Sequence, residues 1–225
     1  MLPFSVSVGA VDAGAGFVDT SAGSRVWATL SVAKEDFKFS AAHFIVHSAS
    51  RERLHGHNYR VAVDVRGQML ADGSGYLVDF AVVKRATREV CAALDERFLC
   101  PARNPHLAVT RGADGESISL RAACDGALFV LPAADVVMLP VPNITVEALA
   151  NELACRILSH AALAEHIGRA IVQFTVAVTE TPGQEARITY DAAALLRELA
   201  AAAPRVAGGE GSAAAAARGE ARPTP

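Results

Sequence analysis

Between residues 58 and 66 the chain alternates. Tyr59, Val61, Val63 and Val65 are separated by Asn58, Arg60, Ala62, Asp64 and Arg66. A period of two predicts a strand with one buried face. Val26 to Val32 alternates more weakly, and Phe37-Lys-Phe-Ser-Ala-Ala-His43 reads as further extended chain. Ala71-Asp-Gly-Ser-Gly75 is turn chemistry, followed by a short apolar run, Tyr76-Leu-Val. The period then lengthens. Asp79 stands where an N-cap belongs, and Val83, Ala86, Val90 and Ala93 or Leu94 follow at helical spacing, so a helix is predicted to run to about Leu94. Ser117–Ala123 and Ala127–Leu131 flank Asp125-Gly126, a hairpin signal, and Val136–Leu139 is one more short strand. Thr145 is a suitable N-cap for a second helix with Leu149, Leu153 and Ile157 on one stripe. Val172, Phe174, Val176 and Val178 mark another strand, and Ala192 to Leu199 is amphipathic. Strands, helix, strands, helix, strand is the order of an α+β fold, an antiparallel sheet with two helices on one face.

Composition narrows the class. With 225 residues and 52% hydrophobic side chains, the chain suits one domain with tails. Residues 1–24 are Gly, Ala and Ser-rich without a period and read as a flexible leader. From Pro204 no large apolar residue follows Val206, so 204–225 reads as a disordered Ala/Gly-rich tail. The working domain is then 25–203. No apolar run approaches the roughly 18 residues of a membrane helix. The leader has no basic residue ahead of its apolar part and no arginine before Arg25, which argues against a secretory or organelle signal and for a cytoplasmic protein. A net charge of −3 gives no general attraction to nucleic acid. Cys91, Cys100, Cys124 and Cys155 are scattered, as reduced thiols are.

The candidate chemistry lies in histidine. His55-Gly56-His57 opens the alternating strand, and residues i and i+2 of a strand share a face. His43 ends the extended segment upstream. If the two segments pair, three imidazoles converge and leave one tetrahedral position open, the arrangement of catalytic zinc. Glu180 keeps the parity of Val172, Phe174, Val176 and Val178, so it extends an apolar stripe, where a carboxylate is costly unless paired.

Six ordered motifs carry a resemblance: Phe39-Ser-Ala-Ala-His43, Leu54-His-Gly-His-Asn-Tyr59, Gly75-Tyr-Leu-Val-Asp-Phe80, Leu94-Asp95, Thr145-Val-Glu147 and Thr179-Glu180-Thr181. Over about 34–190 the chain resembles the 6-pyruvoyltetrahydropterin synthase family, which includes the 6-carboxytetrahydropterin synthases. The resemblance implies the tunnelling fold, with subunit sheets joined into a barrel, a hexamer of two trimers, and active sites between subunits. It implies a zinc-dependent lyase acting on 7,8-dihydroneopterin triphosphate, with His43, His55 and His57 as metal ligands. By the same resemblance Glu180 anchors the pterin, Thr145 and Glu147 lie on its pterin side, and Asp95 matches the aspartate of a catalytic Asp-His pair. Two positions depart from the pattern. No cysteine precedes His-Gly-His; Glu52 stands there, as in a branch associated with cleavage to 6-hydroxymethyl-7,8-dihydropterin. Glu96 occupies the position of the paired histidine. The alternatives to pyruvoyltetrahydropterin formation are that cleavage, 6-carboxytetrahydropterin synthesis, and a non-catalytic pterin- or metal-binding relative. Arg51, Arg53 and Arg60 surround the zinc motif and are candidates for the triphosphate.

Overall fold

The computed structural model describes residues 27–70 and 74–202. The leader, the tail and most of the 71–75 turn lie outside the described residues. The long strand pair comes first. β1 (Trp27–His43) and β2 (His55–Gln68) run antiparallel, with His43 opposite His55 and Phe39 opposite Tyr59. The two extended segments expected in 26–43 are thus one strand. Its register slips between Ala33 and Lys38. That slip changes parity: Val32 faces the core before it, and Phe37, Phe39, Ala41 and His43 face the core after it. The bulge therefore aims His43 inward.

β2 pairs with β8 (Ile171–Thr181), and β8 with β9 (Gln184–Asp191) across Pro182-Gly183, both antiparallel. Gly183 has φ 87°, which glycine adopts without strain. β9 is not among the sequence-predicted elements; its apolar set is only Ala186, Ile188 and Tyr190, at a sheet edge.

On the other side of β1 the sheet departs from the antiparallel expectation. β3 (Arg97–Pro101) lies parallel to β1, and β7 (Val136–Leu139) parallel to β3. Parallel neighbours need long crossovers. The first runs through α1 (Phe80–Ala92). The second runs through a separate three-stranded sheet of β4 (Leu107–Arg111), β5 (Ser117–Ala122) and β6 (Leu128–Pro132). The six-stranded order is β7-β3-β1-β2-β8-β9.

Both predicted helices form where their caps stand. Asp79 Oδ1 accepts from Ala81 N at 2.7 Å, and Thr145 Oγ1 accepts from Ala148 N at 3.2 Å to open α2 (Val146–Leu158). α1 lies on β1, and α2 on β8 and β9. A short α3 (Ala161–Ala164) and α4 (Ala192–Ala202) complete the helices among the described residues. None is long and apolar enough to cross a membrane. Leu149, Leu153 and Ile157 close over Phe39, Tyr59, Val61, Val63, Phe174 and Val176 in one core. A second core joins Phe44, Val46, Phe98 and Cys100 to Leu107, Ile118 and Leu120 of the small sheet. Cys91 and Cys100 are buried, and burial pushes both thiols up to about 12.

Gly67 marks a close approach. A Cβ there would stand 1.8 Å from the Ala170 carbonyl oxygen, which is backbone and cannot rotate away. Gly67→Ala is expected to destabilise the fold by about 1–3 kcal/mol through overpacking. An unchanged midpoint in urea denaturation would contradict this.

Candidate active site

The register of β1 on β2 builds the site. His43 faces His55 directly, and His57 lies two residues along the same face, opposite Ala41. The ring centroids stand 4.5 Å (His43–His55), 5.4 Å (His43–His57) and 5.0 Å (His55–His57) apart. Gly56 permits this closeness: a Cβ there would sit 2.9 Å from the Ala41 carbonyl oxygen. Tyr59 backs the cluster, its ring 5.6 Å from His57 and stacked at 4.8 Å on Phe39. The sequence assigned Tyr59 only to a strand and a motif. Among the described residues its hydroxyl is buried without a hydrogen-bond partner, and burial, then Glu180 and Glu52, raise its pKa.

Glu180 arrives from the end of β8. Its Oε1 is 2.8 Å from His57 Nε2 and 3.5 Å from His43 Nε2. The His57 contact lacks hydrogen-bond alignment, since His57 Nε2 counts among the buried unpartnered atoms. Ligand atoms of His43, His55, His57 and Glu180 all lie within 4.8 Å of one another. Among the described residues both nitrogens of His43 are likewise buried without an aligned hydrogen bond, though the Ile144 backbone approaches the ring. Buried imidazole nitrogens facing each other are costly unless something bonds them. His55 Nδ1 pairs with the Arg53 carbonyl oxygen at 2.7 Å, which fixes the proton there and frees Nε2. A divalent cation fits this donor set.

Burial, then the neighbouring His55 and His57, lower the His43 pKa from 6.5 to about 4. Between those values the unfolded chain binds a proton that the folded chain refuses. Stability of the metal-free protein is therefore fully present above pH 6.5 and declines as pH falls toward 4, by roughly 3 kcal/mol in all. Urea denaturation in chelator across this range measures it; a flat profile would contradict the burial of a neutral His43.

Glu52 completes the group. It is half-exposed, 4.0 Å from His55 Nε2, and its Oε2 accepts from Ile45 N at 3.1 Å. Other sequence-selected residues fall elsewhere. Thr145 caps α2, beside Ile144, whose backbone faces His43. Glu147 is exposed in the first turn of α2. Asp95 and Glu96 stand beside Ser40: Asp95 Oδ1 accepts from Ser40 N at 2.7 Å, and Glu96 N donates to Ser40 O at 2.7 Å. Glu96 has φ 56°, the left-handed turn that ends the α1 segment. Both line a cleft of about 610 Å³ with Lys38, Ser40, Asn58 and Arg88. Ser40 and Asn58 alternate to the face opposite Ala41 and His57. Glu96 also borders a shallower cavity of about 450 Å³ that the Gly56–His57 stretch reaches. Among the arginines, Arg60 pairs with Glu35 at 3.0 Å, Arg53 is exposed, and Arg51 is engaged by Asp125 at 2.9 Å.

A family model described as 6-pyruvoyl tetrahydropterin synthase matches residues 31–191. The chain belongs to the 6-pyruvoyl tetrahydropterin synthase family. Within it, a Plasmodium falciparum 6-pyruvoyl tetrahydropterin synthase superposes with a TM-score of 0.68 at 29% identity, over 73% of this chain and 98% of that one. A Plasmodium vivax 6-pyruvoyltetrahydropterin synthase carrying alanine at a catalytic glutamate gives 0.69 at 28% identity, over 74% and 99%. A Methanocaldococcus jannaschii protein, provisionally named a 6-carboxy-5,6,7,8-tetrahydropterin synthase, is 29% identical over 124 residues, 53% of this chain and 73% of its own length. The superpositions bear out the mixed α+β tunnelling fold that the motifs implied.

Proposed function

We propose that the chain is a zinc-dependent lyase acting on 7,8-dihydroneopterin triphosphate, with 6-pyruvoyltetrahydropterin as its product. The observation that carries this reading is the convergence of three imidazoles with two carboxylates, Glu180 and Glu52, at one end of β2. The names and close superposition of the Plasmodium enzymes support it.

His43, His55 and His57 would hold the zinc. A zinc ion there would supply Lewis acidity to a side-chain oxygen of the substrate. Glu180, on an apolar face, would accept the ring N–H and 2-amino donors of the pterin, with Thr145 and Glu147 on the pterin side. Glu52 would act as general base on a side-chain hydroxyl or the carbon-bound proton next to it. A glutamate is also the catalytic residue altered in the Plasmodium vivax structure. By the family resemblance Asp95 and Glu96, held at Ser40, would serve the site of a second copy in a hexamer of two trimers. Arg53 would remain available to the triphosphate.

A second reading is favoured by Glu52 itself. Side-chain cleavage to 6-hydroxymethyl-7,8-dihydropterin begins with removal of a hydroxyl proton, which a carboxylate accepts more readily than a carbon-bound one. Incubation with 7,8-dihydroneopterin triphosphate and product identification by mass separates the two. Released triphosphate with 6-pyruvoyltetrahydropterin supports the first reading, and 6-hydroxymethyl-7,8-dihydropterin the second. A 6-carboxytetrahydropterin would place the chain with its archaeal relatives, and no turnover would reject the lyase reading.

A further inference from the structure

Residues 44–54 leave β1 at His43 and re-enter the sheet at His55, so this loop carries Glu52 to the histidines. The loop closes on itself. Val46 bridges Arg51, His47 N donates to Ser50 O at 2.8 Å, and Glu52 N donates to Ile45 O at 2.9 Å. Two asparagines grip it from outside. Asn143 accepts from Val46 N at 3.0 Å and donates to Val46 O at 3.0 Å. Asn104, itself buried, donates to Val46 O at 3.1 Å and to Asn143 Oδ1 at 2.8 Å.

The small sheet supplies the other support. Asp125 sits in the turn between β5 and β6, and its Oδ2 accepts from Arg51 Nε at 2.9 Å. The Arg51 guanidinium lies 5.2 Å above the Phe129 ring of β6, and Phe129 stacks on Phe44 at 4.9 Å. Arg51 Nη1 then donates to the Glu52 carbonyl oxygen at 3.0 Å. One guanidinium thus links the tip of the small sheet to the backbone of Glu52.

We infer that the β4–β6 sheet is a brace that positions Glu52 through Asp125 and Arg51, while Asn104 and Asn143 hold the same loop from outside that sheet. This rests on the reading of Glu52 as the base. A half-exposed carboxylate has rotamer freedom, and a displacement of about 1 Å at a reacting group can cost 10²-fold in rate. The Arg51–Asp125 pair is open to solvent at its Asp125 end, 45% exposed against 20% for Arg51, and such pairs add little to global stability, so its loss should appear in the placement of Glu52 before it appears in the fold.

The test uses the full chain with zinc bound, and two readouts. Asp125→Ala should speed amide hydrogen exchange at Ile45 and Glu52 about tenfold or more, with the β2 amides unchanged. It should lower kcat on 7,8-dihydroneopterin triphosphate about ten- to a hundredfold, at unchanged KM and zinc content. Asp125→Asn keeps an acceptor for Arg51 and should retain most of the rate. In a Glu52→Gln background, Asp125→Ala should cost nothing further, because both changes act through one group. Unchanged exchange at Ile45 and Glu52 would overturn the brace whatever the kinetics show. Altered exchange with the same added loss of rate in both backgrounds would overturn the coupling to Glu52. A Glu52→Gln protein as active as the unaltered chain would instead reject Glu52 as base and leave the exchange result to judge the brace.

Discussion

Glu52→Gln is expected to lower kcat by about 10²–10⁴-fold, the usual contribution of a positioned general base. The change is nearly isosteric. The amide oxygen can still accept from Ile45 N, as Glu52 Oε2 does now at 3.1 Å, so the loop should keep its course. What disappears is the capacity to take up a proton. KM should move little, because the proposed pterin anchor is Glu180, and zinc content should be unchanged, because Glu52 lies 4.0 Å from His55 Nε2 and outside the four-residue group that could hold a metal. Steady-state kinetics with metal analysis on the same sample measures this. Undiminished turnover would remove Glu52 from the chemistry.

His57→Ala has the second large expected effect. It should weaken zinc binding by more than the 10–100-fold typical of losing an outer partner of a ligand, and turnover should fall to background. His57 is a cleaner choice than His43. It is 19% exposed against 3%, so its removal opens less of the core. Alanine at 57 leaves the β1–β2 ladder intact, and Glu180 loses only its 2.8 Å neighbour. Circular dichroism should match that of the unaltered protein while zinc is lost on dialysis. Full retention of zinc would show that the ion is held elsewhere.

Much of this site is legible in the sequence because its signals are local. His55 and His57 share a face by strand parity alone, and Glu180 shares parity with Val172, Phe174, Val176 and Val178. Asp79 and Thr145 cap the helices that patterning predicts. Other features depend on distant partners. The slip between Ala33 and Lys38, which aims His43 inward, has no composition signal. The parallel edge of β3 and β7 is decided by how two crossovers pack, and each strand has only four or five residues. The hold on Val46 comes from Asn104 and Asn143, 58 and 97 positions away, and neither asparagine carries a pattern of its own. Arg51, read as a phosphate contact from its nearness to the zinc motif, is engaged by Asp125, 74 residues away. Asp95 and Glu96 stand out in the sequence only by their place in a motif, and only the fold shows them beside Ser40.

If His43, His55 and His57 hold the zinc on which pterin lyase chemistry depends, turnover of 7,8-dihydroneopterin triphosphate must follow the metal, as measured on one preparation before chelation, after it, and after zinc is returned. Activity should vanish with the metal and return in full at one zinc per chain, with no return in the His57→Ala protein. Undiminished turnover by the metal-free chain would contradict this.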